Sequence, residues 1–213
     1  LANLISNAEL GRYQLIFPIF MFCMAVSCAG IQVAVSKMVA AYHGAGKKKA
    51  IRQTIKSAGI TSLILALLSS GCVIAFSEPI SRWILKDISC RGYLVIMAIA
   101  IPFAAVHTCV GGYFYGIRHT AVPAVTQLLE QVVRVVTIYL LAAMMYQKGK
   151  IDASVAVWGL AAGEIFSCFL TWICYRFSIR SQNGGSGSGE PIRKILRQLW
   201  QYGGLLTANR VSV

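Results

Sequence analysis

The chain is expected to be all-α, a polytopic bundle of transmembrane helices. Three observations predict this. Of its 213 residues 57% are hydrophobic and only 13% charged, where a typical globular protein carries about 25% charged residues. The mean hydropathy is positive, and the charges fall in short gaps between long apolar runs. That balance excludes a water-soluble enzyme. The 20 Lys and Arg against 7 Asp and Glu, a formal charge of +13, would suit nucleic acid on a soluble domain. Placed between apolar runs they report membrane orientation instead, so no nucleic acid partner is expected.

Five runs are long enough to cross about 30 Å of hydrocarbon, which takes around 20 helical residues. Residues 13–36 carry no charge, and 57–77 are equally clean. Residues 92–117 hold a lone His107, 120–147 contain Glu130 and Arg134, and 153–175 contain Glu164. In lipid each backbone N–H and C=O must be paired within the segment, so these runs are helices; a barrel would need alternating strands of about ten residues. Pro18, Pro102 and Pro123, with Gly30, Gly111 and Gly112, are expected to bend them.

The loops set the orientation. Lys47, Lys48, Lys49, Arg52 and Lys56 follow the first run without an acid, and Arg176, Arg180, Arg193, Lys194 and Arg197 follow the fifth with only Glu190. Both groups belong on the cytoplasmic side. The loop holding Glu78, Arg82, Lys86, Asp87 and Arg91 is mixed, and the one near Lys148, Lys150 and Asp152 is weakly basic, so these suit the outer face. The alternation fits five spans in the plasma membrane.

Residues 181–189, Ser-Gln-Asn-Gly-Gly-Ser-Gly-Ser-Gly, read as a flexible linker. Beyond it Ile192, Ile195, Leu196, Leu199 and Trp200 recur at helical spacing with Arg193, Lys194 and Arg197 off the stripe, the pattern of an amphipathic interfacial helix. The expected organisation is a transmembrane unit over 1–178, a cytoplasmic linker over 179–191, and an interfacial helix with the start of a sixth span over 192–213. A first residue that is Leu rather than Met reads as a truncation, and the apolar turn at Tyr202 as a span cut short.

Six of the seven Cys (Cys23, Cys28, Cys72, Cys109, Cys168 and Cys174) sit inside apolar runs without a CxxC pair, which favours packing over disulfide or metal. Gly44-Ala45-Gly46-Lys47-Lys48 imitates a phosphate loop only superficially, because Ala41 takes the first glycine's place and no Ser or Thr follows the lysine. No zinc signature or Ser, His and acid arrangement can be assembled. The chain is expected to be no enzyme and to need no cofactor or metal.

Polar residues inside the membrane carry the functional signal, because a charge at a helix centre costs roughly 2.5 to 3.5 kcal/mol on insertion scales. Gln127, Glu130, Gln131 and Arg134 fall at i, i+3, i+4 and i+7, with Thr137 continuing the row. Glu130 and Arg134 either neutralise each other and glue helices together or line a solvated cavity; two amides beside a charge pair favour the cavity. Glu164 shares a face with Ser167 and Thr171, beside a Gly159 and Gly163 pair that lets a neighbouring helix approach. It is either a protonated glutamate bonded across helices or a contributor to ion coupling. Lys37 either snorkels to the interface or presents a cation to an anionic headgroup. His107 reads as a helix-packing hydrogen bonder in preference to a proton relay.

Two stretches carry a family likeness. Leu10-Gly11-Arg12-Tyr13-Gln14-Leu15, followed by Phe17-Pro18 and by Ala29-Gly30-Ile31-Gln32-Val33-Ala34-Val35-Ser36-Lys37, resembles the second-helix region of the stage V sporulation protein B branch of polysaccharide-biosynthesis membrane proteins. Gly111-Gly112-Tyr113-Phe114-Tyr115-Gly116, leading through Pro123 to Gln127, Glu130, Gln131, Val132, Val133 and Arg134, resembles that branch's fourth-to-fifth helix segment. With the span spacing, the likeness covers nearly the whole chain. The branch lies within the multidrug, oligosaccharidyl-lipid and polysaccharide exporter superfamily, whose members have twelve to fourteen helices in two lobes about a central cavity. The resemblance thus implies one lobe, helices two to six and the start of seven, without the first helix or the second lobe.

It further implies flipping of a lipid-linked sugar precursor to the outer leaflet, possible because two lobes rocking about a hydrated cavity expose it to each side in turn. Arg134 and Lys37 would then meet phosphate, and Gln127 and Gln131 would bond sugar hydroxyls. Glu130 and Glu164 would hold Arg134 or bind a coupling proton or sodium ion. The expected partners are that lipid-linked sugar, membrane lipids and the coupling cation. Two rivals stay open: a multidrug exporter that exchanges a cationic drug for a proton or sodium ion, and a non-transporting scaffold for spore-envelope or cell-wall assembly.

Overall fold

Among the described residues five helices are long and apolar enough to span a bilayer: Glu9–Gly44, Lys48–Ala75, Cys90–Gly116, Ala121–Met145 and Ser154–Arg180. The computed structural model describes residues 7–146, 152–181 and 191–211; Lys148, Lys150 and most of the expected linker, 182–190, lie outside them. The first span consists of α1 (Asn7–Met24), a π-helical turn (Ala25–Ala29) and α2 (Gly30–Gly44). Then come α3 (Lys48–Ala75), a short α4 (Ser77–Pro79) running into a second π-helical turn (Ile80–Ile84), α5 (Cys90–Gly116), α6 (Ala121–Tyr146), α7 (Ser154–Ser181) and α8 (Ile192–Val211). All regular structure among the described residues is helical. The protein is a multi-pass membrane protein, and its spans match the five apolar runs.

The helices outrun those runs. Helix α3 begins at Lys48 because Lys and Arg are good helix formers and their charges stay in the aqueous and headgroup zone. The turn before it uses Gly46 at φ 67°, a conformation that suits glycine, so the glycine-rich stretch that imitates a phosphate loop is a tight interhelical turn. The loop over 78–91 also holds more structure than its sequence suggests. Its π-helical turn presents Trp83 and Ile84 outward, where an indole favours the membrane interface.

Helix α5 is the hub, packed by α7, α3 and α2; α6 leans on α7, and α8 on α2. Lipid tails are as apolar as leucine, so close packing of small residues replaces the hydrophobic drive between spans. Helix α3 shows the device: Ala50, Thr54, Ala58, Ser62, Ala66 and Ser70, every fourth residue, are all buried. Cys28 and Cys109 are buried in the two main apolar clusters, the packing role expected of them.

A π-turn leaves backbone carbonyls without their usual intrahelical donors. At the turn over 25–29, Ser62 Oγ donates to the Ser27 carbonyl at 3.3 Å, and the Ser27 and Ser69 hydroxyls lie 2.9 Å apart. The departure from α-geometry thus falls just before Gly30, while the helix continues through Pro18 and Pro102. Pro123 sits in the first turn of α6, where its missing N–H costs nothing.

Side-chain ties sort the loops into two ends. At one end Arg12 bonds Glu9 and Asp87, Tyr93 reaches Glu9 at 3.3 Å, and the Ala153 N–H donates to Glu9 at 2.9 Å. At the other Tyr42 meets Gln198 at 3.3 Å, and the Tyr113 and Ser178 hydroxyls lie 2.8 Å apart. The mixed loop and the start of α7 therefore share one end and the basic segments share the other, as the charge pattern requires.

Asp87 is held below the usual carboxylate range by the Ser89 N–H at 2.9 Å and by Arg12 at 2.7 Å. A depressed folded-state pKa adds stability above the unfolded value of about 3.9 and loses it as pH falls through the folded value. Thermal midpoints of the wild type and Asp87→Asn are expected to differ modestly at pH 6, the group being partly open to solvent, and to converge in strong acid. A gap that persists or widens on acidification would contradict the assignment.

Candidate functional site

The site forms where α5, α6 and α7 meet within the membrane. Glycine spacing on α7 brings α6 in: a Cβ at Gly159 would lie 2.3 Å from Ile138 Cγ1, and one at Gly163 would lie 3.3 Å from the Glu130 carbonyl oxygen. With nothing between the backbones, Glu130 turns inward and is only 4% exposed, while Glu164 on α7 is 6% exposed. Arg134, one turn beyond Glu130, donates from Nη2 to Glu130 Oε1 at 2.8 Å and to Glu164 Oε1 at 3.4 Å. One guanidinium thus bridges two carboxylates on different helices.

The other two carboxylate oxygens face His107 on α5. Its Nδ1 lies 3.4 Å from Glu164 Oε2 and its Nε2 lies 4.0 Å from Glu130 Oε2. Neither approach is an aligned hydrogen bond, so His107 Nδ1 and Glu164 Oε2 are buried without one among the described residues. Ser167 and Thr171, buried along the Glu164 face of α7, extend the polar row.

Two carboxylates and one guanidinium sum to −1 when the imidazole is neutral. In a low-dielectric interior such an excess of one sign is costly. Donor atoms of His107, Glu130 and Glu164 all lie within 4.8 Å of one another, although the sequence shows no metal-ligand spacing, because the donors come from three helices. Arg134 already occupies one oxygen of each carboxylate. The remaining imidazole and two oxygens suit a proton or a monovalent ion better than a divalent one, which favours six or more oxygens.

The structure therefore joins Glu130, Arg134 and Glu164 and adds His107, which the sequence assigns to helix packing. It leaves Gln127 and Gln131 exposed on α6. Lys37 is exposed midway along α2, in the cytoplasmic half of the first span, its Nζ 5.9 Å from the Tyr202 ring centroid, and makes no contact with the buried group. The signal for His107 lies in the hairpin. His107 is nine residues before the end of α5 at Gly116 (116 − 107), and Glu130 nine after the start of α6 at Ala121 (130 − 121). Across a short loop, equal offsets place two residues at similar depth.

The whole chain, residues 1–213, matches the family model described as "Polysaccharide biosynthesis protein". It is 24% identical over 178 residues to Stage V sporulation protein B of Bacillus subtilis (strain 168), covering 83% of this chain and 34% of that protein. Among solved structures it is similar to an outward-facing multidrug resistance MATE family transporter of the MOP superfamily, with a TM-score of 0.68 and 18% identity over 98% of this chain and 46% of the other. It is also similar to a MATE protein in complex with Br-NRF, with a TM-score of 0.67 and 20% identity over 99% of this chain and 48% of the other. The chain thus spans about a third of the curated relative and just under half of each solved transporter.

Proposed function

Because the chain belongs to the polysaccharide biosynthesis protein family, we propose that it is one lobe of a membrane transporter that flips a lipid-linked oligosaccharide, or a peptidoglycan or polysaccharide precursor, to the outer leaflet by alternating access. Residues 1–178 form the lobe, 179–191 the cytoplasmic linker, and 192–213 an interfacial helix leading into the next span. Within α8 the burial of Ile195 and Leu199 against α2 and α3 and the outward placement of Ile192 and Trp200 fit a helix that binds the lobe along one edge and lipid along the other.

The observation that carries this reading is the buried group of Glu130, Arg134, Glu164 and His107. An unevenly charged cluster in the membrane interior is costly and is retained where it works. Glu130 and Glu164 fix Arg134, and the Glu164 Oε2 and His107 pair takes up a coupling proton or sodium ion. Gln127 and Gln131, exposed on the same helix, bond sugar hydroxyls. Arg134, once released by a protonated or ion-bound carboxylate, meets the pyrophosphate, and Lys37 meets it at the cytoplasmic mouth.

Flipping of a fluorescent polyprenyl-pyrophosphate sugar by the full-length protein in vesicles tests this reading. Glu164→Gln is expected to insert normally and to lower the rate by about tenfold or more, the scale of one lost charge-assisted interaction. Unchanged flipping would refute it. The excess carboxylate also favours a second reading, a cationic drug exchanged for a proton or sodium ion. In that case drug export, and not precursor flipping, would fall in Glu164→Gln. A scaffold would show neither activity in the wild type.

A further inference from the structure

The polar face of α7 continues past the buried group. Ser167 and Thr171, one and two turns beyond Glu164, are 0% and 1% exposed, and neither hydroxyl makes a hydrogen bond among the described residues. Ser167 stands beside the Glu130 carboxylate without an aligned bond to it. This sets the pair apart from Thr54, Ser70, Ser81 and Thr126, whose buried hydroxyls each donate to a backbone carbonyl at 2.7 to 3.0 Å. An unpaired buried hydroxyl is expensive, so two in a row beside a charged group mark a place where a further partner binds.

The same face of α7 leads to an opening. Cys174, one turn beyond Thr171, and Ser178, one turn further, line a cavity of about 460 Å³ at the cytoplasmic end, together with His43, Phe114 and His119. At its wall the Ser178 and Tyr113 hydroxyls lie 2.8 Å apart. Glu164, Ser167 and Thr171 follow one another at helical spacing, which sets neighbours about 5–6 Å apart. One water that bonds at about 2.8 Å on each side spans that distance. Buried waters sit where they can meet two to four polar groups, and the unpaired Glu164 Oε2, Ser167 and Thr171 oxygens supply them.

We infer that a file of buried water runs along α7 from this vestibule to Glu164, and that the coupling cation enters and leaves on the cytoplasmic side through it. The second clause rests on the reading that the buried group takes up such a cation; the water file itself does not. A dry interface would need each hydroxyl to turn onto a carbonyl of its own helix, as Thr54 and Ser81 do. It would also leave Glu164 Oε2 with no aligned donor among the described residues.

The test uses the full-length protein in inside-out vesicles, with its native cysteines changed to alanine. Silver ion, a monovalent cation that binds thiols, is added from the cytoplasmic side to Thr171→Cys. The thiol it leaves free is then measured with a maleimide after unfolding. Silver is expected to protect Thr171→Cys and to leave unprotected Ala161→Cys, a position of α7 buried in an apolar cluster. In the protein with native cysteines, Thr171→Val keeps the shape and removes the hydroxyl. It is expected to slow cation-driven flipping by about tenfold, the scale of one lost hydrogen bond, whereas Thr171→Ser stays near the wild-type rate.

Three results would overturn the inference. Full maleimide labelling of Thr171→Cys after silver would mean a dry interface. Equal protection of Ala161→Cys would mean that silver permeates the bundle at large. Thr171→Val flipping at the wild-type rate would remove the cation route even where water is present. Wild-type flipping indifferent to both proton and sodium gradients would refute the coupling reading and the route with it. Continued silver protection of Thr171→Cys would tell that failure apart from a dry interface.

Discussion

Replacing Arg134 by Leu in the full-length protein is expected to be among the most damaging single changes, costing about 3–5 kcal/mol of stability, the usual penalty for breaking a buried ion pair. Arg134 is the guanidinium that bridges Glu130 and Glu164, so its loss leaves two buried carboxylates facing each other with His107 as the nearest basic group among the described residues. One imidazole cannot replace both charge-assisted bonds at once. The triple variant with Glu130→Gln and Glu164→Gln is expected to recover most of the lost thermal midpoint, because no uncompensated charge remains, yet to stay inactive in flipping. A single variant within about 0.5 kcal/mol of wild type, the range of ordinary surface substitutions, would mean that the carboxylates are neutral and Arg134 is incidental.

Gly116→Leu is expected to disrupt the bundle itself. A Cβ at Gly116 would lie 2.7 Å from Val39 Cβ and Cγ1 and 2.8 Å from the Ser36 carbonyl oxygen, and one at Gly112 would lie 2.7 Å from the Gln32 carbonyl oxygen. These are partly backbone atoms of α2, which cannot turn aside as a side-chain tip can. Overpacking commonly costs about 1–3 kcal/mol where side chains can adjust, so a clash with backbone is expected to reach or exceed the top of that range. Gly71→Ala on α3 is the control. Its Cβ would meet nothing within 4 Å, and gained helix propensity should leave the protein unchanged or up to about 1 kcal/mol more stable. Thermal unfolding in nanodiscs separates the two, and equal midpoints would contradict the close approach of α2 to α5.

Different residues of the site were legible to different degrees. Glu130, Arg134 and Glu164 stand out in sequence because charge in an apolar run is expensive wherever the helix points. The Gly159 and Gly163 pair was legible for a similar reason, since two glycines one turn apart mark a close approach. Gly112 and Gly116 have the same spacing, but Gly112 sits in a double glycine that reads as a bend; α5 instead continues through it and uses both residues to admit α2. His107 was not legible as a site residue, because a lone imidazole in an apolar run has many uses and its partners lie on two other helices. Gln127 and Gln131 share a polar row with Glu130 in sequence, whereas only Glu130 and Arg134 of that row reach the α7 contact.

The amino-acid sequence by itself determined that five runs of this chain are long and apolar enough to span the membrane, which end of each faces the basic side, and that three charged residues sit where charge is costly. Those are properties of composition and of distance along one helix, and each can be counted without knowing a neighbour. Only the tertiary structure decided that Arg134 bridges two carboxylates with His107 facing their free oxygens, and that Ser167 and Thr171 are buried without a hydrogen bond among the described residues. These groupings depend on the rotation and crossing of separate helices. Those are set by where glycine, alanine and serine let backbones approach, and no single segment encodes its partner's contribution to that contact.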